Sequence, residues 1–263
     1  MTHSSPLALV TGATAGLGAA YAEELAARGY DLVLVARNKQ RLDQAASDLT
    51  ERTGRSVSVL SADLGTVEGV RSVEGELRDN ARIELLVNNA GSALFGPLAS
   101  ADADALERLV TLNVTSFTRV AVAAATAFAA RGNGAIVNVS SAMALNYMPI
   151  SAVYSATKSY VLAFTQGLAG EFADSPVRIQ AVLPGGLRTT MWDGSGLEID
   201  QLPPSMIMSA RDAAKAGLAG LDAGETITIP SLPDYEAWRR FEQARQELLP
   251  DLSLSSPAAR YAA

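Results

Sequence analysis

The amino-acid sequence predicts an α/β protein: one domain over residues 1–263, with a doubly wound, mostly parallel sheet of six to seven strands flanked by helices. Three observations predict it. Short apolar, β-branched runs alternate with longer amphipathic stretches along most of the chain. The short runs are near-continuously apolar, as strands buried on both faces are. Turns rich in glycine, asparagine or Pro-Gly follow several of these runs, at the strand ends where an open parallel sheet gathers its ligands.

Residues 7–11, Leu-Ala-Leu-Val-Thr, form the first strand, and a glycine-rich turn leads into a helix over 17–28. The apolar run 31–36 is the second strand, followed by a helix over 39–52. The pairing repeats with strand 56–61 and helix 67–80, then with 85–88 and 104–130. It repeats again with 135–139 and 153–172, and with 177–182 and 210–221. A seventh strand over 226–229, Thr-Ile-Thr-Ile, closes the series. Strands joined through helices imply right-handed βαβ units and a parallel sheet covered on both faces. No linker, repeat or low-complexity segment interrupts the chain, which is why one domain is expected.

Composition narrows the function. The formal net charge is −7 and the charges are spread along the chain, so no basic patch marks a nucleic-acid or anionic-membrane partner. Cysteine is absent, which excludes disulfides, thiol nucleophiles and cysteine metal sites. The single histidine is His3, so neither a histidine triad nor a histidine-based metal site can be built, and no metal is expected. Residues 1–6 lack the basic-then-apolar layout of a signal peptide. The most apolar helical run, 120–130, is too short to span a bilayer. A cytoplasmic protein with no membrane partner is the expectation.

The first strand runs into Thr11-Gly12-Ala13-Thr14-Ala15-Gly16-Leu17-Gly18 and then a helix. Glycines there permit a tight turn and a close approach of backbone to a pyrophosphate, and the helix N-terminus offers unpaired N–H groups and its positive dipole end. This makes a Rossmann-type site, although the spacing is T-G-x-x-x-G-x-G rather than G-x-G-x-x-G. Asn88-Asn89-Ala90-Gly91 follows the fourth strand. Tyr154 and Lys158 lie four apart at the start of a helix and share one face. A phenol with a pKa of about 10 is a poor proton catalyst near neutrality, and a neighbouring ammonium stabilises its phenolate. Ser140 and Ser141 end the fifth strand. Asn113 sits inside an apolar helix, where asparagine needs a reason. Pro184-Gly185-Gly186-Leu187-Arg188-Thr189 follows the sixth strand.

Together these segments, from Thr11 to Thr189, resemble the classical short-chain dehydrogenase/reductase family. The resemblance implies an oxidoreductase that moves a hydride between a nicotinamide cofactor and a carbonyl or alcohol carbon. It implies cofactor contacts from Gly12, Thr14, Gly16, Leu17 and Gly18, from Asp63 and Leu64 beside the adenine, and from Asn89, Ala90 and Gly91. Pro184, Gly185, Leu187 and Thr189 complete them at the nicotinamide carboxamide. A helix cap is the competing reading of Asp63. The family's catalytic serine falls on Ser141 rather than Ser140, polarising the substrate oxygen. Tyr154 exchanges the proton. Lys158 lowers the tyrosine pKa and holds the ribose, so both residues of this pair also touch the cofactor. Asn113 belongs to a kinked helix that holds a water in the proton route; a buried asparagine satisfied by its neighbours is the alternative. Arg37 stands where an acid would select NAD, which points to NADP(H), with Lys39 and Arg41 adding positive potential. Two departures stand out: Ala15, where NADP-binding members often carry a basic residue, and the C-terminus. There the chain runs through 225–230 into a polar helix-like stretch with Trp238 and Phe241.

The segments after strands four, five and six hold Phe95 and Leu98, then Met143, Leu145, Tyr147 and Met148, then Met191, Trp192, Leu197 and Met206. They predict a lipophilic small-molecule substrate, with residues 194–206 as a mobile lid. By resemblance, the alanine-rich helices around 121–130 and 161–173 form the interface of a homodimer or homotetramer. The competing class is a catalytically silent NADP-binding sensor or scaffold; an epimerase or dehydratase on the extended fold is the other enzyme reading.

Overall fold

The computed structural model describes residues 5–261, so His3 lies outside the described residues. In chain order the first six strands and their helices are β1 (Leu7–Thr11), α1 (Gly16–Ala27), β2 (Asp31–Ala36), α2 (Lys39–Thr53), β3 (Val57–Ser61), α3 (Val67–Asp79), β4 (Ile83–Asn88), α4 (Ala103–Val110), α5 (Phe117–Arg131), β5 (Ala135–Val139), α6 (Ala152–Glu171) and β6 (Arg178–Val182). Then come β7 (Gly186–Leu187), β8 (Ile207–Met208), α7 (Ala210–Asp222) and β9 (Ile227–Thr228). The predicted ends hold to within two residues, with one exception. The expected continuous helix over 104–130 is α4 and α5 joined by a wide π-helical turn, Thr111–Ser116.

The main sheet has seven strands in the order β3-β2-β1-β4-β5-β6-β9, every neighbour parallel. Chain direction across the sheet reverses between β1 and β4, and ligands of such sheets sit outside the carboxyl ends at that point. Alternate side chains feed two cores. Ala8, Val10, Leu32, Leu34, Val87 and Val137 pack on one face with Leu25, Leu42 and Leu218 from α1, α2 and α7. Leu9, Val33, Val35, Leu86 and Ile136 pack on the other with Val73, Val120 and Phe128 from α3 and α5. Each such leucine or valine contributes about 1.5–3 kcal/mol of apolar burial.

Helix starts are set by local chemistry. Asn38, Thr66 and Ser209 each accept a backbone N–H of the first turn of α2, α3 and α7. β7 and β8 pair in parallel as a separate two-stranded sheet, too short for periodicity to reveal. They bracket the segment expected to be a lid.

One domain over 1–263 is the sequence expectation; the chain divides into two compact units, one ending at Pro230 and the other beginning at Ser231. The second holds α8 (Tyr235–Gln246), where Asp234 accepts from Glu236 N and the Trp238 and Phe241 rings lie 5.4 Å apart.

Candidate active site

Two loops at the reversal point are stitched together by β1's last residue. Thr11 Oγ1 accepts from Asn89 N and from Ala90 N, both at 2.9 Å. Asn89 Nδ2 donates to Thr11 O at 2.9 Å. A Cβ at Gly18 would lie 2.3 Å from Gly12 O, so only glycine lets α1 begin this close to the turn before it. Gly16 stands at φ +55 with room for a Cβ only against Thr189, at 3.1 Å, which brings the loops after β1 and β6 together. Unlike α3, α1 has neither a side-chain cap nor an acid in its first turn. Its first N–H groups are therefore open to an anion.

Arg37 follows β2 and is exposed; its guanidinium makes no hydrogen bond or ion pair among the described residues. Lys39 is drawn away, its ammonium 2.8 Å from both Asp43 oxygens. Asp63 is not the cap of α3, a role Thr66 fills. Its Oδ1 accepts from Gly65 N at 2.9 Å, leaving the carboxylate exposed beside buried Leu64. On the far side, the Pro184 carbonyl accepts from Ala142 N at 2.8 Å, and the Leu187 carbonyl from the Trp192 indole at 2.7 Å. Gly185 lies between them, open to added bulk. This uncapped helix end, its glycine cradle and a free cation beyond β2 fit a nicotinamide dinucleotide.

Tyr154 and Lys158 on α6 are buried, at 3% and 6% exposure. The Tyr154 phenol faces Ser141, which favours its ionisation, and Ser141 Oγ accepts from Met143 N at 3.1 Å. Lys158 Nζ donates to Val139 O at 3.1 Å and lies 5.8 Å from the centre of the Tyr154 ring. Burial pushes the phenol up to about 12, against the influence of Ser141. Burial also pulls Lys158 down to about 8. Desolvation dominates the Tyr154 shift and the opposing influence comes from Ser141, so the expected lowering by Lys158 is not seen here. Ser140 plays a backbone part, its hydroxyl donating to Lys158 O at 2.7 Å.

Asn113 lies in the π turn and faces the same place. Its Oδ1 accepts from Ser92 N at 3.0 Å, and its Nδ2 donates to Ser92 O at 2.9 Å and Thr157 Oγ1 at 3.2 Å. A Cβ at Gly91 would sit 3.1 Å from Asn113 Oδ1 and 3.6 Å from Lys158 Nζ, so these residues converge. The asparagine is therefore both satisfied by neighbours and seated in a distorted helix. Thr11, Ser92 and Thr157 are the site residues that sequence reasoning missed. Thr11 carried a signal, a hydroxyl ending an otherwise apolar strand.

The substrate side is aromatic. Phe95 lies 5.3 Å from the Tyr154 ring and stacks on Trp192 at 5.8 Å and 11°. The expected lid is held down here: Phe95 N donates to Ser195 O at 2.6 Å, and a Cβ at Gly196 would lie 2.3 Å from Phe95 O. Met143 and Leu197 pack on this cluster. Tyr147 and Met206, expected to line the pocket, are exposed at 70% and 60%, while Leu98, 53% exposed, lines a cleft next to Phe95.

A nucleotide-binding sheet end joined to a buried serine, tyrosine and lysine defines the class of nicotinamide-cofactor oxidoreductases. The chain belongs to the short-chain dehydrogenase family, whose model matches residues 6–199. Among solved structures it is similar to a short-chain dehydrogenase from Sphingobium yanoikuyae in complex with NADPH, with 42% identity and TM-score 0.93 over 97% of this chain and 100% of that one. It is also similar to a bulky-bulky ketone specific alcohol dehydrogenase from Comamonas testosteroni, with 39% identity and TM-score 0.89 over 98% and 99%. The very-long-chain 3-oxoacyl-CoA reductase of Anas platyrhynchos is 33% identical over 85% of this chain and 72% of its own length. Of other curated relatives the chain spans less, 58% for the Danio rerio reductase-B.

The expectation of a cytoplasmic protein is corrected by these relatives, because the very-long-chain 3-oxoacyl-CoA reductases are membrane-bound enzymes of the endoplasmic reticulum. The apolar run 120–130 is also part of a longer stretch, Ala103–Arg131, which has the length and composition to cross a membrane and is partly buried in the fold.

Proposed function

We propose that the chain is an NADP(H)-dependent oxidoreductase acting on the carbonyl or secondary alcohol of a small lipophilic substrate, with Ser141, Tyr154, Lys158 and Asn113 as its working residues. The observation that carries the reading is the buried phenol beside Ser141, with the Lys158 ammonium 5.8 Å from the centre of its ring. When bound, the dinucleotide supplies or accepts the hydride. The protein's part is orientation and proton transfer. Ser141 offers its hydroxyl to the substrate oxygen, where negative charge grows during reduction. Tyr154, held as a neutral phenol near neutrality, gives that oxygen its proton. Lys158 would hold the ribose hydroxyls, and Asn113 holds the Ser92 backbone and α6 in place around it. Gly12, Gly16 and Gly18 admit the pyrophosphate onto the N-terminus of α1, with Thr14 and Leu17 beside it. Asp63 and Leu64 border the adenine. Ala90 and Gly91 border the ribose, and Pro184, Gly185, Leu187 and Thr189 the carboxamide. Arg37 selects NADP(H) through the 2′-phosphate, a reading supported by the NADPH complex of the Sphingobium relative.

Tyr154→Phe keeps the ring and removes only the hydroxyl. Its turnover of a lipophilic ketone is expected to fall by roughly 10²–10⁴-fold while NADPH binding persists. Turnover at the unmodified rate would move the proton donor elsewhere. A chain that binds NADPH yet reduces no carbonyl in a broad panel would be the silent sensor instead.

A further inference from the structure

Beside the reacting centre lies a second apolar space that none of the roles above uses. A cleft of about 310 Å³ opens between the loop after β4, the first turns of α4 and the start of α6. Leu94, Leu106, Ile150 and Val153 give it apolar walls, and Ala105 leaves it room. Phe95 belongs to both places: it lines the cleft and its ring lies against Tyr154. That residue is fixed through its ring and through the backbone on either side. Trp192 stacks on it, Ser195 accepts from its backbone, and the next residue, Gly96, donates to Ile150 O at 2.8 Å. Phe95 is thus a partition between the phenol and the cleft.

The volume is within the range of small-ligand sites, about 300–1,000 Å³. The polar groups of the rim are Ser100 and Asp102, and no lysine or arginine lines it. Asp102 caps α4 and pairs with Arg108 at 3.5 Å, so the rim offers a phosphate-bearing carrier no unpaired cation.

We propose that this cleft is the subsite for an extended, uncharged apolar substituent of the ketone substrate, and that Phe95 sets specificity by governing how that substituent reaches it from the carbonyl held at Tyr154. The proposal rests on the oxidoreductase reading for the carbonyl's position. It adds a substrate class: an uncharged ketone with a long apolar arm, rather than a coenzyme A thioester.

The test compares acetophenone with 4-hexylacetophenone in the NADPH-loaded protein, by calorimetric binding and by kcat/KM. The unmodified chain is expected to bind the hexyl compound at least roughly tenfold more tightly. Ala105→Phe, which fills the cleft from α4, is expected to erase that preference ratio. Phe95→Ala, which removes the partition, is expected to shift the kcat/KM ratio between the two ketones by about tenfold. Retained NADPH binding shows that each variant is folded. A binding preference that survives in Ala105→Phe, or no preference in the unmodified chain, overturns the subsite. An unchanged kcat/KM ratio in Phe95→Ala overturns the role of Phe95. Tail-dependent binding lost in Ala105→Phe without any turnover supports the subsite and counts only against the oxidoreductase reading.

Discussion

Around Thr11 and Asn89, three hydrogen bonds of 2.9 Å join the loops after β1 and β4. Around Phe95, two ring contacts of 5.3 and 5.8 Å join the loop after β4 to α6 and to the segment after β6. Both regions hold loops at the same end of the sheet. The first uses directional bonds between a few obligatory residue types, each with a buried backbone group to satisfy. The second adds ring shape and apolar area, which many residue types supply, to backbone bonds that any residue can make, from Phe95 N to Ser195 O and from Gly96 N to Ile150 O. Positioning a common cofactor demands the first kind of precision, whereas accommodating a particular substrate leaves room for the second.

Three experiments break or sharpen this contrast, beginning with the largest effect. Arg37→Ala removes a charged group that has no partner among the described residues. Loss of one charge-assisted bond is worth about 1.5–3 kcal/mol. NADPH affinity is therefore expected to fall roughly ten- to a hundredfold, with NADH affinity nearly unchanged. Equal losses for both cofactors would take the selectivity away from this residue.

Next, Thr11→Val keeps the shape and leaves Asn89 N and Ala90 N without their acceptor. The expected cost is about 1–3 kcal/mol, read as a lower Tm. Phe95→Leu, on the aromatic side, is expected to cost less than about 1.5 kcal/mol. A Phe95 variant more destabilising than the Thr11 variant would reverse the contrast.

The smallest effect is a pH dependence. Burial lowers Lys158 to about 8 from an ordinary 10.5. Between those values the unfolded chain binds a proton that the folded one does not, so stability rises with pH across the window. Tyr154 works oppositely, but only above pH 10, where the unfolded phenol ionises first. From pH 8 to pH 10 the Tm of the unmodified chain should gain on that of Lys158→Met. Parallel Tm curves would mean that the ammonium is not paying a burial penalty.

The same contrast explains what the sequence disclosed. Strand and helix positions were legible because apolar periodicity and cap chemistry are local; Asn38 and Thr66 announce their helices. Tyr154 and Lys158 were legible from their i, i+4 spacing, Asn113 as an asparagine in an apolar helix, and Ser141 only through the family resemblance. The aromatic side was not. Tyr147 and Met206 look like pocket residues by type yet stand exposed, since apolar character signals burial without naming a partner. Nor does the sequence show that Lys39 is taken by Asp43 or the Leu187 carbonyl by Trp192. Both pairings are local, four residues apart on α2 and five apart after β6, but spacing alone does not say that the groups are engaged.

The π turn at Thr111–Ser116 has a consequence for helical phase. Lengthening an ordinary α-helix by one residue rotates everything beyond it by about 100°. A π turn absorbs the extra residue within itself. Val120, Ala124 and Phe128 therefore keep facing the sheet, while Asn113 turns toward Ser92 and Thr157. Length and orientation are uncoupled at that one point, so a polar side chain enters the site from a core helix and the packing downstream stays in register.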